Sequence, residues 1–312
     1  MLREDYEKLW DELNKAEKIL LIGHRKPDGD ALGAMCAMKI WLDGMGKEVK
    51  LACSDKPTRK YDFLPFIDEF NTKISPESHD LVIILDCGAH YMTDFHNVYP
   101  EILSFNNFDQ KPFIVNIDHH ASNDNFGHLN IVDQNSASAT MILYDIFKYL
   151  DVFITPDMAT CLIAGIYNDT GGFMHSNTSF EVYSVSAELL KNGAKVSGII
   201  KSLFRTNTVS TLRLWGKVLE DAKISDQNYI YSVVTENDLK KTGSSDQISG
   251  AIDYLNMVPG VDFALLLQEE RGHVKGSLRT RREDLDLSEI AKLYGGGGHP
   301  KAAGFSMKRN GV

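Results

Sequence analysis

Phe113-Ile114-Val115-Asn116-Ile117 runs directly into Asp118-His119-His120, and that junction decides the fold. A short, continuous apolar run reads as a strand buried on both faces, the pattern of a parallel sheet. Two other segments repeat the design. Leu81-Val82-Ile83-Ile84-Leu85 ends in Asp86, and Ile19-Leu20-Leu21-Ile22-Gly23 ends in His24, followed by Asp28 and Asp30. In open parallel sheets, ligands bind in the crevice beyond the carboxyl ends of the strands. Strands that each end in His or Asp should therefore gather imidazoles and carboxylates along one rim. Such a mixed donor set suits manganese or a similar divalent ion. It points to metal-assisted hydrolysis.

Outward from these strands, residues 17–170 alternate apolar runs with helical segments, which implies βαβ units and a mostly parallel sheet. Helices are expected over residues 4–16, 30–44, 137–150 and 156–168, the last with Pro156 in its first turn and Asp169 at its end. Residues 178–220 read as helical, broken at Asn192-Gly193. Beyond residue 221 the texture changes. Strands are expected at 229–234, 263–267 and 273–280, with a helix over 247–256 and the turn Glu270-Arg271-Gly272. The division expected is therefore a catalytic domain over 1–190, a helical connector over 191–220 and a smaller α/β domain with a mixed sheet over 221–312.

Composition sets bounds on function. A chain of 312 residues with 43% hydrophobic and 24% charged residues is ordinary for a globular protein and long enough for two cores. No apolar stretch reaches the roughly 20 residues needed to span a bilayer, and Met1-Leu2-Arg3-Glu4-Asp5-Tyr6 is too acidic and polar for a signal peptide. Cys36, Cys53, Cys87 and Cys161 are widely spaced and read as reduced thiols of a cytoplasmic protein, with no membrane partner. A net charge of −10 argues against a coat for long nucleic acid, which needs an extended basic surface. It leaves room for a small phosphorylated ligand held by a few focused arginines.

His24-Arg25-Lys26-Pro27-Asp28-Gly29-Asp30-Ala31-Leu32-Gly33, then Asp86, then Asp118-His119-His120, then Gly165-Ile166-Tyr167-Asn168-Asp169-Thr170-Gly171 resemble, in order, the motifs of the DHH phosphoesterase superfamily. Gly295-Gly296-Gly297-Gly298-His299-Pro300-Lys301-Ala302-Ala303-Gly304 is similar to the signature of the DHHA1 domain. The layout is most like the bifunctional oligoribonuclease and pAp phosphatase group, the nanoRNases. The resemblance implies a parallel-sheet DHH domain and a smaller DHHA1 domain with the active site in the cleft between them. It also implies that His24, Asp28 and Asp86 hold one metal, and that Asp30, Asp86, His119 and Asp169 hold a second, with Asp86 shared. Asp118 would orient a neighbour from behind, and His120 would face the substrate phosphate as electrophile or proton donor. Many relatives carry another acidic residue shortly after the shared Asp; here the run is Cys87-Gly88-Ala89-His90, which leaves the place of His90 open.

Phosphate recognition has weaker signals. Four successive glycines, Gly295 to Gly298, let backbone N–H groups approach a phosphate, although a flexible hairpin has the same composition. By the resemblance, His299 and Arg279 grip the phosphate at the far end of the substrate, while Arg281 and Arg282 read as a solvated turn balanced by Glu283 and Asp284. Ser136-Ala137-Ser138-Ala139-Thr140 opens a helix whose N-terminus is either simply capped or offered to an anion, and the resemblance favours substrate contact through Ser136 and Ser138. The function expected is metal-dependent hydrolysis of short single-stranded RNA or of 3′-phosphoadenosine 5′-phosphate (pAp), by in-line attack of hydroxide across two metals. Manganese is foremost, with magnesium or cobalt as alternatives. A cyclic or linear dinucleotide phosphodiesterase is the nearest rival. A pyrophosphatase, an exopolyphosphatase and a non-catalytic nucleotide-binding module stand further off, and a homodimer is left open.

Overall fold

A computed structural model describes residues 2–97, 112–204, 208–243, 248, 250–270 and 272–308. The chain divides into two compact units, Met1–Thr206 and Asn207–Val312. The first contains α1 (Leu2–Lys15), β1 (Lys18–Ile22), α2 (Gly29–Gly44), β2 (Glu48–Ala52), β3 (Leu81–Leu85), β4 (Phe113–Asp118) and β5 (Leu129–Val132). Four helices follow, α3 (Ala139–Tyr149), α4 (Pro156–Asp169), α5 (Phe180–Lys191) and α6 (Val196–Phe204). Its five strands are all parallel, in the order β2-β1-β3-β4-β5. From β1 the chain steps outward to β2 and then returns to the other side of β1 for β3, so the sheet has its switch point between β1 and β3.

The continuous apolar runs are explained by two buried faces. Side chains alternate across a strand, and Ile19, Leu21, Ile83, Leu85, Val115 and Ile117 join the larger core with Leu9 and Leu13 of α1 and with α2, α3 and α4. Leu20, Ile22, Val82, Ile84 and Ile114 turn to the opposite face together with Ala52 of β2, where Ile74, Cys87, Phe95 and Phe126 cover them. Among the described residues this second cover is irregular chain and short 3₁₀ turns rather than long helices. No helix among the described residues is long and apolar enough to cross a membrane.

The second unit opens with α7 (Val209–Glu220), β6 (Lys223–Ile224), β7 (Ile230–Val234), α8 (Glu236–Thr242) and α9 (Ala251–Leu255). It continues through β8 (Ala264–Glu270), β9 (His273–Arg279), α10 (Leu287–Leu293), β10 (Gly297–His299) and β11 (Ala302–Lys308). The sheet order is β10-β11-β9-β8-β7-β6, with β7 and β8 parallel and the other neighbours antiparallel. One face packs on α7 and α9 through Leu214, Val218, Ile252 and Leu266. The other packs on α10 through Leu278, Leu287, Ala291 and Ala303. The helix expected over 247–256 is confined, among the described residues, to Ala251–Leu255 and follows Gly250 at φ +98°. Of the turn between β8 and β9, Arg271 lies outside the described residues. The helices of the expected connector are divided, α6 lying in the first unit and α7 in the second.

Candidate metal centre

The strand ends of the first unit meet at Asp86. It is the first residue beyond β3, its N–H donates to the Ile117 carbonyl at 3.0 Å, and its φ is +57°. That left-handed conformation costs a residue other than glycine about 1–2 kcal/mol, and such strain collects at functional sites. It delivers a carboxylate only 3% exposed. Oδ2 lies 3.5 Å from His24 Nε2, and Oδ1 lies 3.5 Å from His119 Nε2. One carboxylate therefore stands between two imidazoles from two different strand ends.

Around His24 the donors are Asp28 and Asp86. His24 Nδ1 is 2.6 Å from the Arg25 carbonyl, which only a protonated nitrogen can face. The proton placed there leaves Nε2 toward Asp28 Oδ1 at 3.7 Å and toward Asp86. Asp28 is also the N-cap of α2, where Oδ1 accepts from the N–H groups of Asp30 at 2.9 Å and Ala31 at 3.3 Å. Around His119 the donors are Asp30, Asp86 and Asp169, whose nearest oxygens lie 3.9, 3.5 and 3.1 Å from Nε2. In each of the sets His24/Asp28/Asp86 and Asp30/Asp86/His119, one ligand atom per residue lies within 4.8 Å of the others.

Asp30 is the most enclosed of these, at 0% exposure. Its carboxylate sits on the N-terminus of α3, accepting from Ala139 N at 2.6 Å, Thr140 N at 3.0 Å and Thr140 Oγ1 at 2.7 Å. Gly165 of α4 backs this contact, because a Cβ there would fall on Asp30 Oδ1 and Thr140 Oγ1.

The electrostatics describe a place built for cations. Burial, followed by the fields of Asp169 and Asp86, pushes the Asp30 carboxyl well above its usual range, and burial also raises Asp169. Burial alone would lower the imidazoles. The neighbouring carboxylates of Asp28 and Asp86 instead lift His24 to about 11, and those of Asp169 and Asp86 lift His119 to about 12. Burial works against the charged form of Asp86, yet its two histidines outweigh it and hold the carboxyl low. Asp86 Oδ1 is buried and receives no hydrogen bond among the described residues. Buried carboxylate oxygens facing imidazole nitrogens are the mixed hard and borderline donors that divalent transition ions take, so the residues present fit two such ions.

His120 plays a different part. Its ring centroid lies 4.6 Å from that of His119, but its side chain is 22% exposed against 5% for His119. His120 Nδ1 is 2.7 Å from Asp118 Oδ1, and Asp118 is fully buried. Asp118 Oδ2 accepts from Asn123 Nδ2 at 2.6 Å, and the same amide donates to Asn116 Oδ1 at 2.8 Å. Burial lowers the His120 pKa, but the Asp118 hydrogen bond and the Asp86 and Asp118 charges outweigh it and raise it. Asp118 thus orients His120 and fixes which ring nitrogen can meet a ligand.

Other expectations fare unevenly. The α3 N-terminus is not offered to substrate through Ser138. That hydroxyl is fully buried and caps Met141 N at 3.1 Å, and the N–H groups of Ala139 and Thr140 already hold Asp30. Ser136 Oγ donates to the Ser138 carbonyl at 2.9 Å. His90 pairs with Asp124 at 4.0 Å and packs on Tyr91, His96 and Phe126, outside both metal sets. Cys87 is a buried thiol turned on the Leu85 carbonyl, and burial raises its pKa. His175 Nδ1 lies 3.1 Å from the Asp169 carbonyl. Asn123 and Asn168 were not foreseen as site residues, although an asparagine inside the buried run 113–118 signals a polar network beside it.

In the second unit, Arg279 of β9 and His299 of β10 both stand opposite Ala302 of β11, so they share one face of the sheet across a small side chain. Burial lowers the Arg279 pKa, and Asp253 lies 3.7 Å from it. Gly297 and Gly298 lie in β10, the edge strand. Arg282 forks to Asp262 and Asp284, as a solvated turn would.

Residues 18–166 match the model of the DHH family N-terminal domain, and residues 226–311 match that of the DHHA1 domain. The chain is 31% identical over 292 residues to the bifunctional oligoribonuclease and PAP phosphatase NrnA of Thermus thermophilus, covering 93% of this chain and 84% of that protein. It is 24% identical over 295 residues to the protein of the same name from Bacillus subtilis, covering 93% and 90%. Among solved structures, an exopolyphosphatase-related protein from Bacteroides fragilis shares the fold with a TM-score of 0.88 at 23% identity, over 99% of this chain and 92% of that one.

Three outcomes follow from the geometry. Gly165→Ala should lower stability by about 1–3 kcal/mol, the cost of overpacking a filled core. Denaturant unfolding measures it, and a change within about 0.5 kcal/mol would show that the Asp30 contact does not depend on this close approach. Manganese at about 100 times its dissociation constant should stabilise the chelated protein by about 2.7 kcal/mol, seen as a higher melting temperature. Asp86→Asn should lose both ions by metal analysis, and two ions retained per chain would refute the shared role.

Proposed function

The chain belongs to the DHH phosphoesterase family, and we propose that it hydrolyses short oligoribonucleotides and 3′-phosphoadenosine 5′-phosphate with divalent metal. The observation that carries this reading is Asp86, which turns one oxygen to His24 and the other to His119. His24, Asp28 and Asp86 would hold one ion, and Asp30, Asp86, His119 and Asp169 the other. Bound there, two divalent ions, manganese foremost, would neutralise phosphoryl oxygens and acidify water. The names of the Thermus and Bacillus relatives support the choice of substrate class.

The protein's own groups account for the rest. His120, held through Nδ1 by Asp118, would present Nε2–H to a phosphoryl oxygen. That hydrogen bond strengthens as charge develops, and orientation in advance means no reorganisation is needed at that moment. The Asp118 hydrogen bond, acting against burial, raises the His120 pKa and so favours the protonated ring that this role needs. In the second unit, Arg279 and His299 on one sheet face, with the backbone of Gly297 and Gly298 on the edge strand, would take a nucleotide phosphate. An acidic chain with net charge −10 then selects a short anion met by local cations rather than a long polyanion.

The test of substrate class is a rate comparison on pAp, di- and pentanucleotide RNA, cyclic di-AMP and pyrophosphate with manganese. Fastest turnover of short RNA and pAp is expected, and a preference for cyclic di-AMP or pyrophosphate would overturn the reading. His120→Ala should retain its metals yet lower kcat by about 10²–10³; loss of metal in this variant would make His120 a ligand instead. Arg279→Ala should raise KM for nucleotide substrates about 10- to 150-fold and spare a small artificial phosphodiester. Equal damage to both substrate types would remove the second unit from nucleotide recognition.

A further inference from the structure

Asn168 is the penultimate residue of α4, next to Asp169. Its Nδ2 donates to Asp28 Oδ2 at 3.1 Å and to Asp169 Oδ1 at 3.0 Å. Its Oδ1 accepts from the Tyr61 hydroxyl at 3.4 Å. The orientation of the amide is dictated by its neighbours: ionised carboxylates only accept, so the NH₂ must face them, and the carbonyl oxygen must face the hydroxyl. Tyr61 is itself fully buried, and burial pushes its pKa upward, so it stays a donor. The backbone of α2 closes the remaining side. A Cβ on Gly29 would lie 2.9 Å from Asn168 Cβ, which leaves the asparagine little room to turn.

Asp28 belongs to the set around His24, and Asp169 pairs with His119 in the set that holds Asp30. The two sets are joined on one side by the Asp86 carboxylate. On the other side the join is the Asn168 amide. The geometry points to Asn168, anchored by Tyr61, as a positioning residue that fixes the spacing of the two metal sets. It does so by donating one hydrogen bond to a carboxylate of each. Each carboxylate oxygen has two lone pairs, so accepting from Asn168 leaves Asp28 and Asp169 able to ligate while their rotation is stopped. This role rests on the proposed assignment of Asp28 and Asp169 as ligands.

The test is manganese binding to the full chain by calorimetry, with electron paramagnetic resonance to read coupling between ions. The wild type should bind two ions with a spin-coupled spectrum. Asn168→Ala should weaken manganese affinity roughly 10- to 100-fold, the usual effect of losing an outer hydrogen bond to metal ligands, and should lose the coupled spectrum. Excess manganese should restore kcat with KM unchanged, which a merely structural defect would not allow. Wild-type affinity and spectrum in Asn168→Ala would overturn the inference. Should that variant not fold, Tyr61→Phe carries the test. Removing one hydroxyl should weaken affinity in the same direction by about 2- to 10-fold, in keeping with one hydrogen bond of about 0.5–1.5 kcal/mol, and unchanged affinity would overturn it. The two readings fail separately: a wild type that binds no manganese sinks the metal assignment, whereas a wild type with two ions and an indifferent Asn168→Ala sinks only the clamp.

Discussion

Like charges held close together in a buried place are the constraint on which this structure depends. Two carboxylates about 4 Å apart repel by about 4 kcal/mol at an effective dielectric of 20, and Asp28, Asp30, Asp86 and Asp169 crowd around two histidines. Each has its own compensation. Asp28 caps α2, Asp30 lies on the N-terminus of α3, Asp86 stands between His24 and His119, and Asp169 pairs with His119 and Asn168. A helix terminus offsets about 0.3–1 kcal/mol, and up to about 2 where partly buried. That is less than the repulsion it opposes. The remainder shows in the raised Asp30 and Asp169 carboxyls, which burial and neighbouring charge push toward the neutral form. Bound cations would complete such an arrangement, because one divalent ion can offset the charge of several carboxylates at once.

The same constraint explains why these donors come from strand ends and helix ends rather than from element interiors. At those places the backbone has N–H groups to spare and can take conformations such as φ +57° at Asp86. The parallel sheet aligns the ends of β1, β3 and β4, and the registers Ile22 to Ile84 and Leu85 to Ile117 keep His24, Asp86 and His119 within reach of one another. Helices α2 and α4 then bring Asp28, Asp30 and Asp169 to the same rim from their own ends.

What the sequence makes legible follows from this division. Apolar runs ending in Asp or His state the strands and their order of chemistry, and so the parallel sheet, His24, Asp86 and His119 could be read directly. Ser136-Ala137-Ser138 could not. The pattern announces a capped helix N-terminus, but which anion fills it is decided by Asp30, more than 100 residues away in the chain. Asn168 is equally silent, since its meaning lies in Asp28 and Tyr61, across separations of 140 and 107 residues. The short helix Ala251–Leu255 falls below the length at which periodicity speaks, and Gly250 at φ +98° sets its start. Local pattern identifies the donors. Tertiary contact identifies what holds them.

Asp118, His119 and His120 show how neighbouring residues come to have opposite duties. Asp118 is the last residue of β4 and points into the protein, where Asn123 and Asn116 secure it. His119 follows with its ring buried against the carboxylates, and His120 returns toward the solvent side while its Nδ1 reaches back to Asp118. A carboxylate that grips the outward histidine through one nitrogen keeps that ring from falling among the donors of His119. Without Asp118, His120 would still face the Asp86 carboxylate, 3.7 Å from its Nδ1. A protonated imidazole there would compete with a cation for the shared oxygens. The buried aspartate therefore does two things with one hydrogen bond: it aims His120 outward, and it keeps the Asp86 carboxylate available between the two inner histidines.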